Sequence, residues 1–429
     1  MTADVQSAGP ATVLRPPQSL WRHRDFLTYW FGQTVSRGGV QVAELVLPLS
    51  AIYMFHATAE QLGVINAVAF APYLVVTLLA GVWIDRCRKR VILMASELGR
   101  VVALGAVPLL ALVGSVRLYD LYLVAGVMGV CAVLFDVSGT AYLPSLVSRD
   151  QLLDGNSKLQ ASIVVTQSGG PAVGGLLVQL VSAPAVLAMS VVSPLVSLAA
   201  LLTVRQREEV PERPAQRRGT FAEIGESLRF IARDNYLRFL VVRSGMNNLF
   251  FMARNTILPL FVLQVLHLGS AMLGLVLGVG AVGALVGATV AKRLAVRLGP
   301  GRVIAVGYGC SSLVQVLLPV AVGPPALALS LLLPMFFTSG LFMTVGNTNV
   351  ATLQQMLIPR RQLGRVVAGM RTVTWGTMPL GALLGGTLGS VIGIRQTLFI
   401  TATGFCLSAL WIAVSPIAKV RTMPEARED

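Results

Sequence analysis

Apolar residues run in long unbroken stretches rather than in alternation. They cover roughly 26–55, 60–84, 91–114, 119–142, 157–182 and 184–204, then, after a polar break, 239–266, 270–291, 303–323, 325–347, 366–392 and 396–417. A helix that crosses a bilayer needs about 20 mostly apolar residues. A membrane barrel would instead show ten-residue segments of alternating polarity. The pattern predicts an all-α membrane protein with twelve transmembrane helices in two six-helix pseudo-repeats. The corresponding division is a tail at 1–25, a bundle at 26–204, a linker at 205–238, a second bundle at 239–417 and a tail at 418–429.

Composition agrees. The 429 residues are 55% hydrophobic and only 12% charged, against about 25% charged residues in soluble domains. Mean hydropathy is +0.73. The first 20 residues lack an apolar core, so no cleavable signal is expected and the first helix should direct its own insertion.

The net charge of +15 would fit nucleic-acid binding if it lay on one soluble face. It lies in alternate loops instead. With the N-terminus cytosolic, 27 of the 34 Lys and Arg residues fall in cytosolic segments and only Arg117 and Arg395 on the opposite side. The other five, Arg37, Arg100, Arg243, Arg254 and Arg371, lie within helices. The positive-inside rule then places both termini in the cytosol and accounts for the basic balance without nucleic acid. In the linker, Phe221, Ile224, Leu228 and Ile231 recur at helical spacing, which predicts a short amphipathic helix at the inner surface.

Duplication leaves a mark. Leu146-Val147-Ser148-Arg149-Asp150-Gln151-Leu152 is echoed 211 residues later by Leu357-Ile358-Pro359-Arg360-Arg361-Gln362-Leu363. Parallel six-helix repeats are a transporter architecture.

Two motifs carry more. After the second stretch the chain reads Gly81-Val82-Trp83-Ile84-Asp85-Arg86-Cys87-Arg88-Lys89-Arg90, and the fifth contains Gly170-Pro171-Ala172-Val173-Gly174-Gly175. The first resembles the hallmark loop of the major facilitator superfamily, with Arg88 where glycine is common. The second is similar to the antiporter motif of that superfamily, with Thr166 in place of a further glycine. Its proline would free a backbone carbonyl and its glycines allow close packing. The resemblance implies gating roles for Gly81, Asp85, Arg86, Arg90, Gly170, Pro171, Gly174 and Gly175. In the second half, Lys292 and Val296 stand at the glycine and aspartate places of the loop. Phe135-Asp136, Tyr142-Leu143-Pro144-Ser145 and Gly155-Asn156-Ser157-Lys158 resemble the bacterial efflux branch that includes enterobactin-exporter and macrolide-efflux-type permeases.

That resemblance implies proton-coupled efflux of a small amphiphilic molecule (a drug, antibiotic, siderophore or other natural product) from a plasma-membrane monomer that needs no cofactor. Uptake of a nutrient by the same fold, or a sensor without transport, are the alternatives. An ATP-driven pump is excluded, because none of Lys89, Lys158, Lys292 and Lys419 is followed by Ser or Thr as a P-loop requires. No His-Glu-x-x-His or Gly-x-Ser-x-Gly is present, and His23, His56 and His267 all lie near helix ends, so enzymatic chemistry is not expected. The scattered Cys87, Cys131, Cys310 and Cys406 indicate neither a metal site nor a disulfide framework.

Ionisable residues at membrane depth are functional candidates. Glu44 is the first candidate for the proton carrier and Asp136 the alternative, since a carboxylate whose surroundings alternate can take up and release a proton. Arg37 lies two turns from Glu44 on the same helix face. Arg100 and Asp136 sit at depths about 3 Å apart, which predicts a structural ion pair. Asn247, Phe251 and Arg254 share a face of the seventh helix and, with Arg37 and Trp375, are expected to line a substrate cavity.

Overall fold

The computed structural model describes residues 20–84, 87–206, 208, 220–358 and 363–420. They are almost wholly helical. The helices are α1 (Arg24–Phe55), α2 (Ala59–Ile84), α3 (Lys89–Leu112), α4 (Leu118–Leu146), α5 (Leu152–Leu180), α6 (Ala183–Thr203), α7 (Thr220–Arg233), α8 (Asn235–Val265), α9 (Ser270–Leu298), α10 (Pro300–Val320), α11 (Pro325–Leu357), α12 (Leu363–Val391) and α13 (Ile394–Ala413). Ten of them are long and apolar enough to cross a membrane, and α2 and α12 have 26 and 29 residues. In lipid a helix satisfies its own backbone polar groups, so the apolar runs have little alternative.

Polar breaks mark most ends, with informative exceptions. Helix α9 continues past the apolar run through Lys292, Arg293 and Arg297 to Leu298, because a solvated helix end tolerates charge. Within α6, Pro194 cannot donate to the Ser190 carbonyl, the helix is interrupted at Val191, and the Ser193 hydroxyl donates to that carbonyl instead. His56 and His267 end α1 and α8 in the left-handed region, at φ 50° and 54°, and are 211 residues apart. The amphipathic segment of the linker is the helix α7, whose Ile231 is buried against α8–α13.

The packed core explains the overall shape. Where α1 ends and α2 begins, one large apolar cluster joins Leu49, Leu62 and Val186 to Phe261, Leu273 and Leu332, so helices from both ends of the chain share it. At the opposite end the clusters are separate. One gathers Phe26, Tyr29, Leu93, Phe135 and Leu201; the other gathers Leu240, Ile304, Tyr308, Leu353 and Ile412. The groups α1–α6 and α8–α13 therefore meet at one end and part at the other, as a wedge.

Four glycines make the meeting end. Helix α2 crosses α12 where a Cβ on Gly63 would lie 2.9 Å from the Ala382 carbonyl oxygen and 3.0 Å from Gly386 Cα. Helix α5 crosses α9 where a Cβ on Gly175 would lie 2.8 Å from Gly274 Cα. Each helix start is also capped from the other group. The Ser390 hydroxyl accepts from Glu60 N (3.0 Å), and the Gln179 side-chain oxygen accepts from Ala271 N (3.1 Å). Gly63 and Gly274, Gly175 and Gly386, Glu60 and Ala271, and Gln179 and Ser390 are all 211 residues apart.

A valine at 175 should hold α5 away from α9. Gly278 faces Ala172 so closely that its Cβ would lie 3.0 Å from Ala172 Cβ. With the four native cysteines replaced, Ala172→Cys and Gly278→Cys should therefore cross-link readily, and adding Gly175→Val should abolish the cross-link. Gly174→Ala, whose Cβ would meet Val42 at 3.4 Å or more, should leave it intact. Equal cross-linking in all three chains would refute the close-approach account.

Candidate functional site

The wedge brings α1, α2, α4 and α12 together around one carboxylate. Arg37 of α1 pairs with Asp136 of α4 at 3.0 Å, through Nη2 and Oδ1. The Tyr73 hydroxyl of α2 donates to Asp136 Oδ2 at 3.3 Å. Both charged side chains keep partial access to solvent, at 24% and 28%. One turn along α1 from Arg37, the Gln41 amide donates to Glu44 Oε2 at 2.7 Å, and Glu44 is exposed. Glu44 and Asp136 each interact electrostatically with Tyr73, so the two carboxylates share one neighbourhood.

The other wall comes from α12. The Trp375 ring packs on Tyr73 with centroids 4.8 Å apart, and the Arg371 guanidinium lies 4.2 Å over the indole. These residues and Met378, Ala382 and Gly386 follow at i, i+4, i+7, i+11 and i+15, one continuous face of α12. Trp375 thus joins the site, as a contact between groups rather than as a free cavity wall.

Three expectations are corrected. Arg100 does not pair with Asp136. It pairs with Glu97 at 3.3 Å, three residues away on α3, and both are almost fully buried. The Ser36 hydroxyl donates to the same Glu97 oxygen at 3.0 Å, and Arg100 donates to Ser36. Depth along the membrane allowed the Arg100–Asp136 pair, but rotation about the helix axis gives Asp136 to Arg37. Both guanidiniums neighbour the Phe135 ring, at 5.5 Å for Arg37 and 4.1 Å for Arg100.

Arg254 does not face the wedge. It is buried inside α8–α13, donating to Gln315 (2.9 Å) and Asn255 (2.8 Å) among Phe251, Phe336 and Phe405. Asn247 is buried as well and accepts from Arg243 at 3.3 Å, while Arg243 stacks 3.1 Å over Tyr308. The stripe of Asn247, Phe251 and Arg254 is the inward face of its own bundle.

The antiporter-like segment is divided between two interfaces. Gly170 packs against Gln41 of α1, Gly174 meets Val42, and Gly175 meets α9. Pro171 lies within a helix that runs unbroken from Leu152 to Leu180, its carbonyl facing Gly274. Gly170 and Gly175 are the tight positions of the segment, and Gly174 has room for a Cβ.

Of the hallmark loop, Asp85, Arg86 and the surroundings of Gly81 lie outside the described residues. Arg90 is described. Glu208 of the linker caps the start of α3, accepting from Lys89 N (2.8 Å) and Arg90 N (3.1 Å), and Arg90 reaches the Leu202 carbonyl at 3.3 Å. A carboxylate at a helix N-terminus is favourable. Asp25 likewise accepts from Arg205 N and Gln206 N. Sequence reasoning missed Glu208, Asp25 and Tyr73. Glu208 stood in plain view within Arg-Gln-Arg-Glu-Glu, and Tyr73 offered only an aromatic in an apolar run.

Two further features bound the site. A surface groove of about 450 Å³ between α1 and α6, lined by Leu27, Phe31 and Val196 among others, holds no charged side chain. Among the described residues no group of three or more His, Cys, Asp or Glu is placed to hold a metal ion.

Comparison with known proteins adds a family. Residues 17–428 match the model of the transmembrane secretion effector family. The multidrug efflux pump Tap of Mycolicibacterium fortuitum is 26% identical over 357 residues, covering 81% of this chain and 85% of that protein. The fold is similar to that of a bacterial homologue of the iron transporter ferroportin in an inward-facing state, with a TM-score of 0.73 at 19% identity, over 92% of this chain and 98% of the other. Against an outward-facing state of such a homologue the TM-score is 0.57 at 18% identity, over 90% and 98%.

The two arginine environments should separate in experiment. Arg254→Ala strands Gln315 and Asn255 and should cost about 1.5–3 kcal/mol, read as a lower unfolding temperature in detergent. Arg37→Ala, at a partly solvated pair, should change unfolding far less while impairing transport. A reversed order would contradict the assignment.

Proposed function

The chain belongs to the transmembrane secretion effector family of the major facilitator superfamily, and from that premise we propose that it exports small amphiphilic molecules against their gradient in exchange for protons. Its relatives are transporters, and the Tap likeness supports export over uptake. The observation that carries the proton part is the Asp136 carboxylate, held by Arg37 and Tyr73 in the wedge between the two groups of helices. Protonating Asp136 removes the anion that Arg37 neutralises. Glu44, one turn from Gln41 and open to the same space, is the second candidate.

The rest of the reading follows the same premise. Twelve spans form two six-helix repeats at 26–204 and 239–417, joined by the linker 205–238, with both termini in the cytosol of a plasma-membrane protein. Support comes from the 211-residue offset that relates both glycine crossings and both caps, and from the loop asymmetry of Lys and Arg. With that orientation the closed end of the wedge is external and this is an inward-open state. The higher TM-score against the inward-facing neighbour supports it. Gly81, Asp85, Arg86 and Arg90 would then hold the inner end when it closes, with Glu208 fixing the start of α3.

Inverted vesicles with an imposed proton gradient test the whole reading. The native chain should accumulate a fluorescent amphiphilic cation, and an uncoupler should collapse the signal. Asp136→Asn should retain substrate binding yet lose uphill accumulation, and Glu44→Gln should weaken it. Unimpaired gradient-driven transport by both variants would overturn the proton assignment, and accumulation only in right-side-out vesicles would make the protein an importer.

A further inference from the structure

We infer that Tyr73 is the positioning residue through which the charge of Asp136 acts on the contact between the two helix groups. The inference rests on Asp136 as the proton site and goes beyond it by naming how that charge reaches α12.

Tyr73 touches both sides at once. Its hydroxyl donates to Asp136 Oδ2 at 3.3 Å, while Arg37 holds Oδ1 at 3.0 Å, so each carboxylate oxygen has one partner. Its ring lies 4.8 Å from Trp375 at 52°, and 6.0 Å from Phe70 on its own helix. The next residue, Leu74, fills the space beside Gly376, where a Cβ would lie 2.9 Å from Leu74 Cδ1. Among the described residues no other side chain both bonds to Asp136 and packs on α12. Tyr73 also sits at the transition of the wedge. Toward the closed end α2 and α12 are locked at Gly63 and Gly386, and toward the open end the apolar clusters of the two groups are separate.

The chemistry follows from what a phenol can do. A phenol donating to a carboxylate makes a charge-assisted bond, roughly twice as strong as a neutral one. That bond fixes the ring on its second side against the indole. A proton arriving from the aqueous wedge forms an O–H bond on the carboxylate and breaks no covalent bond. Arg37 then loses its counter-ion, and Tyr73 retains at most a neutral hydrogen bond. The ring is no longer held, and the Tyr73–Trp375 contact weakens just below the glycine crossing. Proton uptake in one group thereby loosens the middle of the interface with the other.

The charged surroundings of Asp136 are limited. Helix α1 presents Arg37, Glu44 and Tyr29, whose hydroxyl donates to the Gly139 carbonyl, α2 presents Tyr73, α3 presents Arg100, already paired with Glu97, and α12 presents Arg371 over Trp375. The charged residues of α5, Asp154 and Lys158, pair with each other near its start. A substitution at Tyr73 therefore leaves every charge in place.

The test uses the full chain in vesicles, with native cysteines replaced and Leu74→Cys and Gly376→Cys introduced as a proximity pair. In the native background cross-linking should fall as the pH inside the wedge is lowered. Asp136→Asn should fix it at the low-pH level at every pH. Tyr73→Phe keeps the ring and removes only the hydroxyl. It should flatten the pH response and lower gradient-driven accumulation by about tenfold, the effect of losing about 1.4 kcal/mol, while gradient-free substrate exchange persists. If Tyr73→Phe responds like the native chain and only Tyr73→Ala fails, the residue is packing alone and the inference is overturned. If Asp136→Asn itself keeps a native pH response, the proton-site reading fails first.

Discussion

Everything in this molecule depends on two places where helix backbones from opposite ends of the chain touch. At Gly63–Gly386 and at Gly175–Gly274 no side chain separates the helices. Without a hydrophobic driving force between helices in lipid, close packing of small residues and hydrogen bonds must hold them. The crossings supply the first, and the caps from Ser390 and Gln179 supply the second. Because both crossings lie at the same end, the other end is free to open. The wedge, and the water-accessible carboxylates within it, are consequences of where the glycines fall.

The two groups of helices are alike in geometry and unlike in charge. From residue 235 to 424 the chain has no Asp or Glu. At the 211-residue offset, Arg37, Glu44 and Asp136 correspond to Asn248, Asn255 and Asn347. Amides there do structural work. Asn248 donates to the Thr374 carbonyl, Asn255 accepts from Arg254, and Asn347 accepts from the Tyr308 hydroxyl. The buried Arg254 is held by amides and aromatic faces, and the buried Arg243 by Asn247 and the Tyr308 ring with its Nε left unpaired, so neither cation has a carboxylate partner. Among the membrane-spanning helices the carboxylates are thus confined to α1–α6. The Tyr73–Trp375 ring contact lies between the two groups.

How much of this was legible depends on what each feature encodes. Span positions and the amphipathic α7 follow from one-dimensional periodicity, and most ends fall within about five residues of the expected ones, but α9 and α11 run on to Leu298 and Leu357, well past the expected 291 and 347. The 211-residue echo at Leu146 and Leu357 also pointed to the offset that governs both crossings. Side-chain partners were harder, because they depend on the rotation of each helix about its own axis. An error of one position on a helical wheel turns a side chain by about 100°. That is the difference between Arg254 in a cavity and Arg254 among Phe251, Phe336 and Phe405. Arg100 was misassigned for the same reason. Depth made Asp136 a feasible partner, but the rotation of the helices pairs Arg100 with Glu97.

The closed end must also be able to open, and its construction suits that need. Each cap is a single neutral hydrogen bond worth about 0.5–1.5 kcal/mol net, and the glycine crossings bury no large side chain at the point of contact. A lock of this kind tilts a two-state balance by a few kcal/mol, within reach of the differential binding of a proton or a substrate. Had the crossings been knit by buried ion pairs, breaking them in the membrane would cost about 3–5 kcal/mol for each stranded charge. The chain instead keeps its fully buried ion pair, Glu97 with Arg100, inside one group, where the rocking of one group against the other leaves it intact. The pair at Arg37 and Asp136 is instead left partly solvated at the open side.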